Sequence, residues 1–273
     1  MKKLIVICDW ADDSLNCQEF RSVVEGYLKD PIMMNIGFVS STPSTVHTSF
    51  LINQVIETEE RYGRPQETIV FQNTDPRLQS NEGIDKAEGA EFIINRLKSG
   101  FFVCGPNAGN NFSLIKSKID ELYHYPGFNE ESQFRSRDLY ARICAHLMDE
   151  IEDELDLEEG STEIIPELRG NFIGHIDSFG NIKTTITREE LKGKYEYENI
   201  IRVKINDVEK KVRFVDNIFG GKLGELVMYP GSSGLKDNPY LEISIWRHFT
   251  EKDISTGAYS FNNPRPGTEI HLV

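Results

Sequence analysis

From the N-terminus to about residue 150, short apolar runs alternate with segments that have a helical spacing of apolar residues. The strand-length apolar runs are Leu4–Cys8, Met34–Ser40, Thr68–Gln72 and Phe101–Cys104. The segments with helical spacing are Gln18–Leu28 and those around Ser49–Tyr62 and Lys86–Lys98. This alternation predicts an α/β domain with a largely parallel sheet, in which ligands bind at the carboxyl ends of the strands.

A helix that begins near Arg137 is expected to close this domain. Its apolar residues lie four positions apart, at Leu139, Ile143, Leu147 and Ile151. Such a stripe packs on one face of a sheet. The acidic run Asp149–Glu159 and the following Gly160 then indicate a solvated helix end and a linker. A regulatory acidic surface is the alternative interpretation of this run.

The chain becomes rich in predicted strands after about Pro166. The strand-like runs are Phe172–Ile176, Lys183–Ile186, Ile200–Ile205, Lys211–Phe214, Glu225–Tyr229 and Tyr240–Trp246. Gly, Asn and Asp residues separate them, which favours a small all-β barrel or sandwich. We therefore predict an α/β domain over residues 1–158, a linker over 159–168 and a β-rich domain over 169–273, within which the tail after Thr250 is unassigned.

Charge and hydropathy restrict the partners of the chain. Its 273 residues carry 44 acidic and 30 basic side chains, a net charge of −14 that would repel a nucleic-acid backbone. The apolar runs are far shorter than the roughly 20 residues of a membrane-spanning helix. The segment after Met1 is too short and too soon interrupted by Asp9 for a signal peptide, so we expect a cytoplasmic protein that binds neither nucleic acid nor membrane.

Cysteine and histidine spacing gives no support for a metal site. The four cysteines are scattered without CxxC pairs, which is typical of buried free thiols in a reducing compartment. The six histidines form no HxxxH pair. We therefore expect no metal and no bound cofactor.

Two carboxylates follow predicted strands of the first domain. Asp9 comes directly after Leu4–Cys8, where a carboxylate can accept hydrogen bonds from both hydroxyls of a ribose. A helix N-cap is the alternative role for Asp9. Asp75 precedes Pro76, and an Asp-Pro pair is also common where an ordinary turn begins.

Two segments of the second domain carry polar groups suited to a small ligand. Asp177–Asn181 lies between two apolar runs and would present a carboxylate, an aromatic face and an amide together. A plain β-turn is the alternative. Gly231–Gly234 is expected to be a flexible loop whose hydroxyls and backbone N–H groups hold a carboxylate, although glycine-serine loops are common in proteins.

Several segments, taken in order, resemble the S-adenosylmethionine hydroxide adenosyltransferase family, which includes the fluorinase and chlorinase enzymes. Residues 174–186 read GHIDSFGNIKTTI and resemble its "IDxFGNxxTN" signature. Residues 224–243 resemble "GEpv…GSSGyLEIAv", with Lys236–Pro239 inserted. The pattern "TFHGRDifaPaaAhLa" is resembled by Phe134, Arg137-Asp138 and Ala145-His146-Leu147, and "GPDNG" by Gly105-Pro106-Asn107.

The resemblance implies a homotrimer that binds S-adenosylmethionine or adenosine between the N-terminal domain of one subunit and the C-terminal domain of its neighbour. It gives Asp9 the ribose hydroxyls, Asp177 the methionine ammonium, and Asn181 the adenine edge beside the Phe179 ring. Ser232 and Ser233 would take the methionine carboxylate. The other substrate-binding candidates implied are Asn107, Phe134, Ser136 and Arg247.

The family's hydrolases hold a water molecule with an Asp–Arg–His set, and this chain departs from it. Asp75 matches the acidic member, whereas the halogenases carry tyrosine there. Glu82 stands where the arginine is expected and Arg135 where the histidine is expected, so Arg135 or Arg77 would have to supply the positive charge. Ser136 replaces a glycine of the hydrolases, as in fluorinase-like members.

Three functions are compatible with this pattern. The first is an adenosine-forming S-adenosylmethionine hydrolase with Asp75, Arg135 and Arg77 as catalytic residues. The second is a protein that binds S-adenosylmethionine or adenosine and has lost catalysis. The third is a halogenase, against which Asp75 argues.

Overall fold

The structure is a computed structural model that describes residues 2–29, 35–76, 89–127, 132–247 and 255–273. The chain divides into two compact units, Met1–Leu168 and Arg169–Val273. The first unit is an α/β domain and the second is a closed β-barrel. Both folds agree with the fold classes that the sequence predicts.

The sheet of the first unit consists, among the described residues, of seven strands. These are β1 (Lys3–Cys8), β2 (Asn35–Ser40), β3 (Thr68–Asn73), β4 (Phe92–Leu97), β5 (Phe102–Pro106), β6 (Ile119–His124) and β7 (Glu158–Gly160). Their order is β2-β1-β3-β5-β4-β6-β7. Strands β2, β1, β3 and β5 are parallel, whereas β4 is antiparallel to both β5 and β6. The carboxyl ends of four parallel strands therefore meet at one edge.

Strand β4 corrects the sequence prediction of a helix around Lys86–Lys98. Residues Phe92, Ile93, Ile94 and Leu97 are all buried, so both faces of this strand are covered. A strand buried on both faces loses the alternation of polar and apolar residues, and its apolar positions then mimic a helical spacing. The part of that prediction before Gly89 lies outside the described residues.

Helices cover the sheet and begin at side-chain caps. Helix α1 (Ser14–Tyr27) begins at Asp13, whose carboxylate accepts from the N–H groups of Leu15 and Asn16 at 2.9 and 3.2 Å. Helix α2 (Thr45–Tyr62) begins at Ser44. Such caps satisfy N–H groups that have no partner within the helix.

Helix α3 (Ala141–Asp149) follows a π-helical turn over Ser136–Tyr140. The predicted stripe is buried at Leu139, Ile143 and Leu147, where it packs with Phe20 of α1 and with the sheet. Ile151 lies beyond the end of the helix and is only partly buried. The acidic run after α3 forms a short 3₁₀ helix over Glu152–Leu155, and it leads into β7 and a second 3₁₀ turn over Thr162–Ile164.

The second unit closes into a barrel of seven strands within the described part of the chain. They are β8 (Asn171–Ile176), β9 (Ile182–Thr187), β10 (Ile200–Ile205), β11 (Val208–Phe214), β12 (Leu226–Gly234), β13 (Pro239–Ile245) and β14 (Glu269–Leu272). Their order is β10-β11-β12-β13-β9-β8-β14. Alternate residues of β10, Ile201, Val203 and Ile205, are fully buried in the interior. Two short helices, α4 (Arg188–Leu191) and α5 (Gly257–Ser260), complete this unit.

Two further observations concern membranes and thiols. No described helix is long and apolar enough to cross a bilayer. All four cysteines are free thiols; Cys8, Cys104 and Cys144 are buried, and Cys17 is partly buried. Burial raises the pKa of the Cys8 thiol far above its ordinary value, so Cys8 stays protonated at neutral pH.

The close approach of β5 to β3 depends on Gly105. This residue has φ +146°, and a Cβ atom there would lie 2.1 Å from the backbone oxygen of Gln72. We predict that Gly105→Ala lowers the free energy of unfolding by at least about 2 kcal/mol. Gly37→Ala is the matched control in the same sheet, because nothing lies within 4 Å of its added Cβ. Gly37→Ala should change stability by less than about 1 kcal/mol in equilibrium urea denaturation, and equal losses for both variants would contradict the prediction.

Candidate functional site

Polar side chains collect at the carboxyl edge of the parallel strands. Asp9 follows β1, Ser41 follows β2, Thr74 and Asp75 follow β3, and Asn107 follows β5. Asp13 is the N-cap of α1, so the alternative role of Asp9 as a cap is excluded. The Asp9 side chain is exposed at this edge.

Thr74 is the most heavily bonded residue described at this edge. It is fully buried, and its hydroxyl bonds with the hydroxyls of Thr48 at 2.7 Å and Ser41 at 3.0 Å. Its backbone N–H donates to Gln72 Oε1 at 3.0 Å, and its backbone oxygen accepts from Asn111 Nδ2 at 2.7 Å. These four contacts fix the backbone immediately before Asp75.

Asp75 and Arg135 approach each other across Gly89. Asp75 Oδ2 accepts a hydrogen bond from the backbone N–H of Ala90 at 2.8 Å. A Cβ placed on Gly89 would lie 2.7 Å from Arg135 Nη1 and 2.8 Å from Asp75 Oδ2. Gly89 therefore leaves a space that the Asp75 carboxylate and the Arg135 guanidinium both border. Ala90 lies 15 residues after Asp75 in the sequence, so the Asp75 side chain makes a tertiary contact. Its role is therefore not limited to starting a local Asp-Pro turn.

Asp9 is electrostatically linked to Asp75. Although Asp9 is exposed as a whole residue, partial removal of its carboxyl from water raises the pKa of that group above its ordinary value, and the negative charge of Asp75 raises it further. The hydrogen bond from its own backbone N–H acts in the opposite direction. Two acidic groups therefore share one region of the edge, which favours a ligand that carries hydroxyl donors or positive charge there.

The segment before α3 is held by aromatic and ionic contacts. The Phe134 ring meets the Trp10 ring edge to face, with 5.4 Å between centroids. Arg137 Cζ lies 5.3 Å from the Phe134 centroid, and Arg137 donates to Glu19 at 2.9 Å and to Asp138 at 2.6 Å. Arg137 is thus engaged in structural contacts, which leaves Arg135 as the described arginine of this segment beside Asp75.

The other candidates of the first unit have different environments. Ser136 is 2% exposed, so little of it reaches the surface. Asn107 donates through Nδ2 to the Ile164 carbonyl at 3.3 Å, and its buried Oδ1 accepts from no donor among the described residues. Arg77 and Glu82 lie outside the described residues. Within the described ranges, no group of three or more His, Cys, Asp or Glu side chains is arranged to hold a metal ion.

In the barrel, Asp177–Asn181 forms the turn between β8 and β9. Asp177 Oδ1 accepts from the N–H groups of Phe179 at 3.0 Å and Asn181 at 2.9 Å, and Oδ2 accepts from Asn181 Nδ2 at 3.0 Å. Gly180 takes the left-handed conformation, φ +77°, that this turn requires. Phe179 stays 56% exposed. The segment is a β-turn that also presents an exposed aromatic side chain beside an ordered carboxylate and amide.

The Gly231–Gly234 segment corrects the prediction of a flexible loop. It belongs to β12, where a shift in register between Pro230 and Gly234 makes a bulge against β13. Ser233 is 2% exposed, whereas Ser232 is exposed. The inserted Lys236–Pro239 completes the turn from β12 to β13, and Asn238 there accepts from the N–H of Glu189 at 3.0 Å. Strand pairing with β13 before the bulge and the turn after it therefore hold the bulge in place.

The carboxylate of Glu242 accepts the hydrogen bonds that the bulge donates. Its Oε1 receives the N–H of Ser232 at 2.8 Å, the Ser232 hydroxyl at 3.1 Å and Lys183 Nζ at 2.8 Å. Its Oε2 receives the Tyr229 hydroxyl at 3.3 Å. Burial raises the pKa of Tyr229, and the charge of Glu242 raises it further. Arg247, the remaining candidate, is partly buried after β13.

Sequence reasoning assigned no role to Thr74, Gly89, Lys183 or Glu242. Thr74 was part of an apparent turn, and the proximity of Gly89 to Asp75 depends on tertiary structure. The local signal for Glu242 was a charged residue within an apolar strand, where burial of a charge requires partners. The same reasoning applies to Lys183 in β9.

The environment of Asp9 makes stability depend on pH. Because its folded-state pKa lies above the ordinary 3.8, the charged form at neutral pH costs free energy in the folded state. We predict that Asp9→Asn raises the urea midpoint at about pH 7, and that this gain shrinks towards about pH 4. The exposed Asp207→Asn serves as control. A gain from Asp9→Asn that does not change with pH would contradict the raised pKa.

Comparisons with known proteins agree with the motifs. Residues 172–247 match the family described as SAM hydroxide adenosyltransferase C-terminal domain. A Methanocaldococcus jannaschii protein named (R)-S-adenosyl-L-methionine hydrolase is 30% identical over 161 residues, which cover 51% of this chain and 55% of that protein. The chain thus matches about half the length of this relative.

Two solved structures share the fold. A crystal structure of an uncharacterized conserved protein from Thermotoga maritima has a TM-score of 0.72 at 16% identity, covering 99% of this chain and 100% of that one. A conserved hypothetical protein from Thermus thermophilus has a TM-score of 0.65 at 15% identity, covering 100% of both chains. Such identities show the fold alone. The barrel motifs and the matched domain show that the second unit contains a SAM hydroxide adenosyltransferase C-terminal domain over residues 172–247.

Proposed function

We propose that this protein is an adenosine-forming S-adenosylmethionine hydrolase. Water attacks the ribose C5′ carbon, the C5′–S bond breaks, and its electron pair stays on sulfur as methionine leaves. The water releases one proton, and the products are adenosine and methionine. The position of Asp75 and Arg135 on the space beside Gly89 is the observation that carries this proposal.

The reaction does not require a covalent bond between the protein and the substrate. A sulfonium is already a good leaving group, so catalysis consists mainly of holding a water molecule in line with the C5′–S bond. In the proposal, Asp75 accepts a hydrogen bond from the water and orients it. The Arg135 guanidinium stabilises the hydroxide that develops during attack. Arg135 thus replaces the histidine of the family pattern and brings a permanent positive charge.

Each unit contributes its own ligand-binding groups in this proposal. Asp9 accepts from the ribose hydroxyls, and its link to Asp75 is consistent with a ribose carbon close to the water. The exposed Phe179 face and the Asn181 amide receive the adenine, while Asp177 receives the methionine ammonium. The Ser232 side of the bulge receives the methionine carboxylate. Buried Ser233 supports the bulge rather than the ligand directly.

Three further features belong to the proposal. We keep the homotrimer implied by the family resemblance, which light scattering would detect as three times the mass of the chain. A cytoplasmic location and the absence of a cofactor stay predictions from the sequence. Because the M. jannaschii relative is named for the (R)-epimer, both sulfonium epimers should be offered as substrates.

The first test is product formation with S-adenosylmethionine, followed by chromatography for adenosine. We predict adenosine from the wild type and none from Asp75→Asn, with the variant's affinity for S-adenosylmethionine within about tenfold, or roughly 1.4 kcal/mol, of the wild type. Asp120→Asn, an exposed aspartate on β6, is the matched control and should keep full activity. A fully active Asp75→Asn would remove Asp75 from the mechanism. Binding without turnover by the wild type would support the alternative of a non-catalytic binding protein.

The second test concerns the replacement of histidine by Arg135. We predict that Arg135→Gln lowers kcat by about 100-fold or more while KM changes little, because the guanidinium acts on charge that develops in the transition state. Arg137→Gln is not a clean control because Arg137 anchors Phe134, so Arg96→Gln on the surface serves instead. A pure KM effect in Arg135→Gln would place Arg135 in substrate binding rather than in catalysis.

A further inference from the structure

Lys183 lies in the family's barrel signature at a position that the signature leaves open. It stands on β9, directly across from Glu242 of β13 in the register of the two strands. Its side chain is 16% exposed, and its Nζ lies 3.0 Å from Ser232 Oγ and 2.8 Å from Glu242 Oε1. A cation on β9 thus lies beside the bulge that presents Ser232.

Glu242 already uses the donors that a bound carboxylate would need from Ser232. Both the N–H and the hydroxyl of Ser232 point to Glu242 Oε1, and that carboxylate is 6% exposed. Gly231 makes this possible, because a Cβ there would lie 2.3 Å from Glu242 Cγ. Ser232 alone therefore has no unused N–H or O–H donor for a ligand carboxylate in this arrangement.

The ammonium group of Lys183 has more N–H donors than it has oxygen partners among the described residues. An ammonium group has three N–H donors, and two oxygen partners of Lys183 Nζ are found among the described residues, Ser232 Oγ and Glu242 Oε1. Ser232 itself is exposed, and its hydroxyl lies 3.0 Å from the ammonium of Lys183. The charge of Lys183 also contributes to the lowered pKa of His175, after the larger effect of burial.

We propose that Lys183 is the residue that selects ligands with a carboxylate end, by donating a charge-assisted hydrogen bond to that carboxylate beside Ser232. This inference rests on the proposed function, since it names the group that recognises the amino-acid end of S-adenosylmethionine. Glu242 is a positioning residue that fixes the ammonium and partly offsets its charge. Removing the charge of Lys183 should therefore weaken the binding of a ligand with a carboxylate, whereas removing the charge of Glu242 should strengthen it.

The test compares two ligands that differ only in the carboxylate, S-adenosylhomocysteine and its decarboxylated form. A neutral thioether is a poor leaving group, so binding is measured by calorimetry without turnover. For the wild type we expect tighter binding of the ligand with the carboxylate by about tenfold or more. Lys183→Met should remove this preference by weakening S-adenosylhomocysteine alone.

Two further variants separate the loss of the Lys183 charge from a structural effect of leaving Glu242 without a partner. Lys183→Met leaves the buried Glu242 without its cation, so Lys183→Met/Glu242→Gln removes both charges and should also lose the preference. Glu242→Gln alone should increase the preference, because the ammonium is no longer offset. Equal weakening of both ligands in the Lys183 variants would show a structural role only and overturn the inference. If the wild type binds neither ligand, the proposed function fails and the inference fails with it.

Discussion

The hydrogen bonds of Thr74 are the constraint on which the polar edge of the α/β unit depends. A buried hydroxyl and two buried backbone groups would each cost free energy if left without partners. Contacts from α2, from the end of β2, from β3 and from Asn111 satisfy them together. The backbone that leads into Asp75 is therefore fixed from several elements at once, and the Asp75 carboxylate itself accepts from the backbone N–H of Ala90.

The barrel solves a similar problem with charge rather than with hydroxyls. Glu242 is buried in a strand, and a buried carboxylate is tolerated only with cationic and hydrogen-bonding partners. Lys183, Tyr229 and the Ser232 bulge supply them. The Gly231–Gly234 segment, which the sequence predicts to be a flexible loop, is an ordered part of β12. The N–H and hydroxyl donors of Ser232 in this segment already donate to Glu242. In our proposal, recognition of a ligand carboxylate at the bulge therefore depends on the Lys183 ammonium beside it.

The fold was largely predictable because its strongest signals are local. The apolar runs of β1, β3 and β5 and the stripe of α3 were found within a few residues of their observed bounds. Strand β4 was missed because burial on both faces removes the period of two that distinguishes a strand from a helix. Sequence could not choose between barrel and sandwich, because closure depends on the pairing of β14 with β8 and β10.

The candidate site was predictable in its residue types and less so in its contacts. The motifs pointed to Asp75 and Arg135, but the empty space at Gly89 that joins them arises only in the tertiary structure. The roles of Lys183 and Glu242 were hidden for the same reason, since each partner lies on a different strand. A charged residue in an apolar strand was the available signal.

The proposed function requires that this protein hold a water molecule for attack on the ribose C5′ carbon of S-adenosylmethionine. The most direct measurement is mass spectrometry of the adenosine formed in water enriched in ¹⁸O. The account predicts adenosine that carries one ¹⁸O atom at its 5′ position. Adenosine without the label, or a halogenated nucleoside formed in its place when chloride or fluoride is supplied, would contradict it.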